Sequence, residues 1–362
     1  MNRSIAVVGA GAVGLGIAWH LGGRGHSVTV FDPCLNQDVN RSSRAGGLAG
    51  TSASLGVLMG HVFRRSSGRG WRLRRQSMVL WPDWIIRLQR FEPGLVLQGP
   101  LVQIAEDQPS FEHMEQLAKD RGDLGLSLVS AEQLQSTWPS AHWGGLQSAQ
   151  DGRINPLTLQ KALRQGLIEQ AVSIVAEPVV QLTRRHQSWR VVLDGGRNSL
   201  HDIVVICAAL ASPTLLAPLG HDRPMTPVLG QALALEISDA GTHWNGWPGV
   251  LVDQSFNLIP DGPGRMLLGA TVEPGDSAAT APLDLMRSLN NHAPDWLREA
   301  APLEHWSGLR ARPVNRPAPL LEVLEPGLLL ATGHHRNGVL LMPATAAWVA
   351  NQLEHNYSIT KA

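Results

Sequence analysis

Glycines 9, 11 and 14 of the stretch Gly9-Ala10-Gly11-Ala12-Val13-Gly14 follow a short apolar run, Ile5-Ala6-Val7-Val8, and precede a helically spaced one, Leu15 to Leu21. This is the GxGxxG arrangement: one glycine makes a tight turn, one lets backbone approach a pyrophosphate, and one permits close packing of helix on strand. A second apolar run, Ser27-Val28-Thr29-Val30-Phe31, ends on Asp32. An acid there can accept a hydrogen bond from a ribose hydroxyl, while the free N–H groups at the helix start face a diphosphate. A merely tight turn between strand and helix would leave Asp32 without a role. The unit predicts dinucleotide binding but does not choose between NAD and FAD, which share the adenosine diphosphate.

A second candidate lies near the C-terminus. At Gly333-His334-His335-Arg336-Asn337-Gly338 a buried strand gives way to a polar loop and then a helix, a layout that aims backbone donors at whatever fills the crevice. The pyrimidine edge of a flavin, anionic on reduction, is one such target, and an ordinary helix cap is the plain alternative. The pair His334-His335 is not read as a metal site, because adjacent side chains on a loop point apart and no carboxylate stands at ligand spacing. Arg310, in Gly308-Leu309-Arg310-Ala311-Arg312-Pro313, needs an acceptor if it lies in a closed cavity; a substrate carboxylate and a structural ion pair explain it equally well. The arginines at 64, 65, 69, 72, 74 and 75 read as a solvated helix face, and Cys34 as an unreactive thiol.

The chain that must position these residues has 362 residues, 43% hydrophobic and 17% charged, enough to bury a large core and to form two domains. Thirty basic side chains balance thirty acidic ones, which gives no excess field for nucleic acid or an anionic membrane. Cys34 and Cys207 lie far apart, without metal-type spacing, so a disulfide framework is not expected and a reducing, cytoplasmic setting is. No apolar run is long enough for a membrane span.

The first strand, Gly-rich turn, helix and second strand make a parallel βαβ unit of a layered sheet. Residues 34 to 56 read as a long irregular connection. Residues 57 to 91 read as helical, ending near Glu92-Pro93-Gly94; Leu101 to Ile104 as a strand; and Phe111 to Lys119 as a helix. A turn-rich boundary at 144 to 156 precedes a helix from Leu157 to about Gln170, strands at 172–175 and 189–193, and the continuous apolar run Ile203 to Cys207. Residues 224 to 272 alternate as in an antiparallel sheet with one exposed face, Leu328 to Ala331 forms a strand, and a helix runs from about Ala344 to Leu353.

In these residues the chain resembles the D-amino acid oxidase-like FAD oxidoreductases, most of all their glycine oxidase (ThiO-like) branch. The resemblance runs from residue 4 to about 350. Its distinctive pieces are the N-terminal fingerprint, Pro260 to Thr271, Trp306 to Pro313 and Ala331 to Ala344. It implies an α/β fold: a Rossmann-type FAD-binding domain (1–90, 145–222 and 306–362) interleaved with an α+β substrate domain built on an antiparallel sheet (91–144 and 223–305).

By resemblance, Gly9, Gly11, Ala12, Val13, Gly14 and Asp32 hold the ADP part of FAD. Thr51, Ser52 and Ala53 run past the diphosphate and flavin, and Val179 falls on the adenine side. Gly333, Arg336, Asn337, Gly338, Val339 and Leu340 contact the flavin ring. Arg310 matches the arginine that binds the substrate carboxylate, and Arg336 joins it on the substrate side. Neither cysteine matches a covalent flavin attachment, so FAD is expected to be non-covalent. Asn257 stands where glycine oxidases place a carboxylate-clamping Tyr, and the chain's only Tyr is Tyr357. Val272 replaces a Met, and Ala208 to Ser212 lacks the Gly and Trp usual in that segment.

The expected activity is oxidation of a small primary or secondary amino acid. A hydride passes from the α-carbon to flavin N5, O2 is reduced to H2O2, and the imine is hydrolysed or feeds thiamine thiazole synthesis. Positioning supplies most of the catalysis, and no side-chain base is assigned. Alternatives are a flavin dehydrogenase using a quinone or carrier, an NAD(P)-dependent dehydrogenase, and a non-catalytic flavin-binding protein. Expected partners are the amino-acid substrate and O2, with no nucleic acid, membrane or metal; the oligomeric state is open.

Overall fold

The structure is a computed structural model that describes residues 2–44, 50–237 and 246–358. Parts of the connection expected at 34–56 and of the sheet expected at 224–272 lie outside the described residues, as does the side chain of Tyr357.

Short runs of Val and Ile that are apolar on both faces form a six-stranded sheet. Its order is Leu320–Glu325, Leu328–Thr332, Ile203–Ile206, Ser4–Val8, Ser27–Phe31 and Ser173–Val175, all parallel except the first. On one face Ile5, Val7, Val28 and Val205 pack against the helices Ala12–Gly22, Pro156–Glu169, Gly68–Leu88 and Gly338–Ser358. On the other, Ala6, Val8, Val204 and Ile206 meet Trp189, Val191 and Leu193, which belong to an antiparallel meander of Val179–Arg185, Ser188–Leu193 and Asn198–His201. Coverage on both faces is why these strands show no polar alternation. Ligands of such sheets bind beyond the carboxyl ends of the strands. Here three adjacent parallel strands end on the Gly9–Gly14 turn, on Cys207 and on Gly333.

The second sheet alternates between two cores, so along Met225–Glu236 the face expected to be exposed is buried as well. In the strand Met225–Glu236, Leu233 and Leu235 join a core with Trp138, Met286 and Leu297, while Ala232 and Ala234 face Leu55 and Trp306. The strand pairs with Arg265–Gly269 on one side and with the long strand Pro302–Pro313. The sheet continues through Phe256–Pro260, Val250–Asp253, Leu101–Ile104, Gly145–Ser148 and Leu126–Val129, antiparallel except where Val250–Asp253 meets Leu101–Ile104.

Several local expectations shift. The stretch read as helical from 57 begins with the strand Val57–Leu58, and the helix itself is Gly68–Leu88. The turn-rich boundary contains the strand Gly145–Ser148, which lies between Leu101–Ile104 and Leu126–Val129, so its place in the sheet depends on partners distant in sequence, such as Leu101. That strand and Pro302–Pro313 both hydrogen-bond into the second sheet, so the boundaries expected at 145 and 306 cut through it. The last helix starts at Gly338 rather than Ala344 and carries Pro343 inside it.

Candidate functional site

The Gly-rich turn is set by close approaches that only glycine permits. Gly9 has φ of 107° and donates its N–H to Phe31 O at 2.8 Å, stitching the turn to the neighbouring strand. A Cβ on Gly14 would sit 1.9 Å from Gly9 O, whereas one on Gly11 would meet nothing closer than Thr51 Oγ1 at 3.3 Å. Gly9 and Gly14 therefore pack protein on protein, while Gly11 leaves its open side toward the cavity.

The helix begun at Ala12 has no side-chain cap of its own, and Thr51 Oγ1 accepts the Ala12 N–H at 2.9 Å. Asp32 accepts from Ala10 N–H through Oδ2 and from Cys34 N–H through Oδ1, each at 2.8 Å. Its carboxylate thus holds the turn in shape and remains half-exposed beside it.

The turn opens on a cavity of about 530 Å3. Gly11, Ala12, Val13, Thr51 and Ala53 line one end, and Gly333 with Arg336, Asn337, Gly338 and Val339 line another. Arg310 and Asn257 line the wall contributed by the second sheet, so Arg310 and Arg336 share one cavity. Gly9, Gly14, Asp32, Ser52, Val179 and Leu340 do not line it. Val179 belongs instead to the meander opposite Leu193, and Leu340 is buried with its carbonyl accepting from Trp81 Nε1 at 3.1 Å.

The segment that crosses the cavity is held from several sides. Trp306 Nε1 donates to Ala53 O at 2.9 Å, and Arg153 Nε to Leu55 O at 3.0 Å. Arg153, itself buried, pairs with Asp261 at 3.0 Å. Asp151, fully buried, accepts the N–H groups of Gly60, His61 and Val62 at 2.9–3.0 Å. A buried carboxylate satisfied by backbone donors fixes a loop without a metal or a partner cation.

The ionisable residues lining the cavity are Arg64, Arg74, Arg310, Arg336, His334, His335 and Cys207, with no carboxylate among the described ones. Arg310 is half-buried, and its Nη1 donates to Leu229 O at 2.9 Å and Thr271 O at 3.1 Å. Gly230 lies against its guanidinium, since a Cβ there would sit 2.1 Å from Nη2. Burial, then the charge of Arg336, bring the Arg310 pKa down to about 10, with Glu273 acting the other way.

Glu273 is buried and accepts from Thr271 Oγ1, from Gln231 Nε2 at 2.9 Å and from Ala279 N–H at 2.8 Å. Through Thr271 it braces the carbonyl that anchors Arg310.

The histidine pair diverges. His334 is buried, with Nε2 3.0 Å from Thr345 Oγ1, and burial drops its pKa to about 3. His335 is lowered to about 4 by burial, followed by Arg310, Arg336 and Arg312. Both are neutral near pH 7. Arg74 departs from the expected solvated face: its guanidinium stacks over Phe63 at 3.8 Å, and Nη2 donates to Asn337 Oδ1 at 3.1 Å.

Gly230, Gln103 and Ala270 also line the cavity and were not singled out in the sequence. Of these, Gly230 carries a readable signal: a glycine inside an otherwise alternating strand often marks close approach by another group.

The arrangement can hold a dinucleotide along the Gly11–Val13 helix start and the Gly333–Val339 loop, and an anionic small molecule at Arg310. The FAD dependent oxidoreductase family matches residues 4–352. The chain is 25% identical to a glycine oxidase of Bacillus licheniformis, over 97% of this chain and 92% of that protein. It is 26% identical to a bifunctional ThiO/ThiG protein of Nostoc sp., over 97% of this chain and 52% of that longer protein. A glycine oxidase from Geobacillus kaustophilus has the same fold, with TM-score 0.81, 22% identity and coverage of 98% and 95% of the two chains.

Proposed function

The chain belongs to the FAD-dependent oxidoreductases of the D-amino acid oxidase type, an enzyme family acting on amine donors with FAD as cofactor, and from that premise we propose that it oxidises a small primary or secondary amino acid. The observation that carries the proposal is the shared cavity: Arg310 and Arg336 face it together, no carboxylate among the described residues neutralises them within its lining, and both loops that suit a flavin dinucleotide open into it.

Gly11 to Val13, with the helix start, take the diphosphate, and Asp32 lies beside them at the end of the next strand. Gly333 and Arg336 to Val339 take the ring. Non-covalent binding is supported by the state of the one thiol in the cavity lining: burial pushes Cys207 up, so it is un-ionised near pH 7.

Arg310 takes the substrate carboxylate with the donors it does not spend on Leu229 and Thr271, a charge-assisted contact of about 1.5–3 kcal/mol. That contact fixes the α-carbon relative to the ring site, which is the main catalytic contribution of the protein. The chemistry FAD would supply when bound is two-electron acceptance: a hydride from the α-carbon, its electrons then passed to O2 as H2O2, leaving an imine that water would hydrolyse to a keto or aldehyde acid and ammonia, or a primary amine where the substrate is a secondary amino acid. His335, neutral and weakly basic, is not needed as a base if the amine enters deprotonated. The likeness to a protein named ThiO/ThiG supports a further link to thiamine thiazole synthesis. Two free thiols support a cytoplasmic setting.

Anaerobic titration with glycine, sarcosine and a panel of D-amino acids, followed by air, tests the proposal. Bleaching of the visible flavin band with fast recovery and peroxide release is expected. Bleaching with slow recovery would replace the oxidase by a dehydrogenase, and a band that no amine bleaches would overturn the reading.

A further inference from the structure

Asn257 sits in the middle of the strand Phe256–Pro260, between Phe256 and Leu258, which pack into the outer core of the second sheet. Strand alternation turns Asn257 to the opposite face, and it lines the cavity at 8% exposure. Its Nδ2 donates to Gly269 O at 2.8 Å. That bond fixes the amide orientation, because the flipped rotamer would set two oxygens against each other. The remaining atom, Oδ1, is buried and has no hydrogen-bond partner. A buried acceptor left unpaired is costly until something donates to it.

The location of this acceptor gives it meaning. Gly269 O holds Asn257, and two residues on, Thr271 O holds Arg310. One three-residue segment therefore anchors both a guanidinium with donors to spare and an amide oxygen with an empty acceptor position. Ala270, between the two anchors, also lines the cavity. A carboxylate cannot satisfy Asn257 Oδ1, since it too has only acceptors. An N–H group can.

We propose that Asn257 is the specificity residue for the substrate nitrogen, accepting a hydrogen bond from the amine through Oδ1 while Arg310 holds the carboxylate. The inference rests on the amino-acid reading of the site and deepens it: the substrate class is amino acids that keep an N–H, such as glycine and sarcosine, over tertiary N,N-dialkyl analogues and over carboxylates lacking nitrogen.

Propionate, in which a methyl replaces the amino group of glycine at nearly the same size, isolates the contact. The FAD-loaded enzyme is titrated with propionate by perturbation of the visible flavin band, and glycine binding is taken from the saturation of anaerobic reduction. In Asn257→Leu, glycine binding should weaken roughly tenfold while propionate changes less than about twofold. Asn257→Asp, which keeps acceptors at the site and adds negative charge, should move the ratio the other way by weakening propionate more than glycine.

Equal losses for both ligands in Asn257→Leu would reduce Asn257 to a packing residue. An unchanged ratio in both variants, with glycine still reducing the flavin, would overturn the nitrogen contact and leave the proposed function standing. Flavin that neither glycine nor any other amino acid reduces in the unmodified enzyme would overturn the site reading and the role of Asn257 with it.

Discussion

The two ends of the cavity are built from different materials. The end proposed for the dinucleotide is made of backbone: Gly9, Gly11 and Gly14 shape a turn whose strength lies in N–H groups and in atoms that are absent. The end proposed for the substrate is made of side chains, with Arg310 tied to carbonyls far along the chain and Asn257 to Gly269 O on the neighbouring strand. A backbone cradle recognises a cofactor common to many enzymes and leaves little room for variation. A side-chain wall on a separate sheet can be altered one residue at a time, which is how one fold serves many amines.

The sharpest way to break this contrast is Gly14→Ala. The new Cβ would meet Gly9 O at 1.9 Å, and backbone cannot move aside as a side-chain tip can. A loss of about 3 kcal/mol or more in stability is expected, with protein purified free of flavin. Bound FAD per chain and the thermal midpoint check this, and a yellow, normally stable variant would remove the close-packing argument. Arg310→Ala comes next. It should lower kcat/KM for amino acids roughly 10- to 150-fold, the equivalent of about 1.5–3 kcal/mol, while the flavin spectrum and the thermal midpoint stay near those of the parent. A parallel loss of flavin would show that the two ends are not separable.

Gly230→Ala tests the substrate end more gently. Its Cβ would overlap the Arg310 guanidinium, the far end of a flexible side chain, rather than backbone. The guanidinium can yield, so stability should change little and the KM for amino acids should rise roughly tenfold as the bidentate geometry is lost. Steady-state kinetics beside a melting curve separate the outcomes, and a destabilised variant with normal KM would contradict the placement of Gly230 under the guanidinium.

The same contrast decides how much was legible beforehand. The turn at Gly9–Gly14 and Asp32 could be read because the contacts that give it its sequence signature, Gly14 on Gly9, Gly9 on Phe31 and Asp32 on Ala10, are local or within the next strand, whereas the support from Thr51 and Cys207 could not. The loop from Gly333 is legible as a feature, but the start of Gly338–Ser358 is not, since Pro343 and the polar lead-in break the helical pattern.

The anchors of Arg310, and the identity of the group that approaches Gly230, could not be read for a different reason. Leu229 and Thr271 lie 81 and 39 residues from Arg310, and the pairing of Met225–Glu236 with Pro302–Pro313 on one side and Arg265–Gly269 on the other brings them together. Arg74, on a helix whose arginines look alike in sequence, is singled out only by Phe63 and Asn337. The orientation of the Asn257 amide could not be read without Gly269 O opposite it.

The smallest effect should come from His335, which lies on the loop between the two ends. Arg310, Arg336 and Arg312 add to burial in holding its pKa near 4, against an ordinary value of 6.5. An imidazole so depressed is neutral over the working pH range and too weak a base to take a proton from a substrate ammonium. His335→Gln should therefore change kcat/KM less than about threefold between roughly pH 6 and 9 and leave the shape of the pH profile as it was. The sign for stability is opposite to that of a histidine in an ion pair. The unfolded chain takes up its proton as pH falls through about 6.5, whereas the folded protein resists until about 4, so this contribution is fully present above 6.5 and lost on the way down to 4. The thermal midpoint should fall over that interval, less steeply in His335→Gln than in the parent, with His334 still contributing below it because its pKa is held near 3. A kinetic limb that disappears with His335 would instead make it a proton carrier and would mean that the cationic field of the substrate end is weaker than its arginines imply.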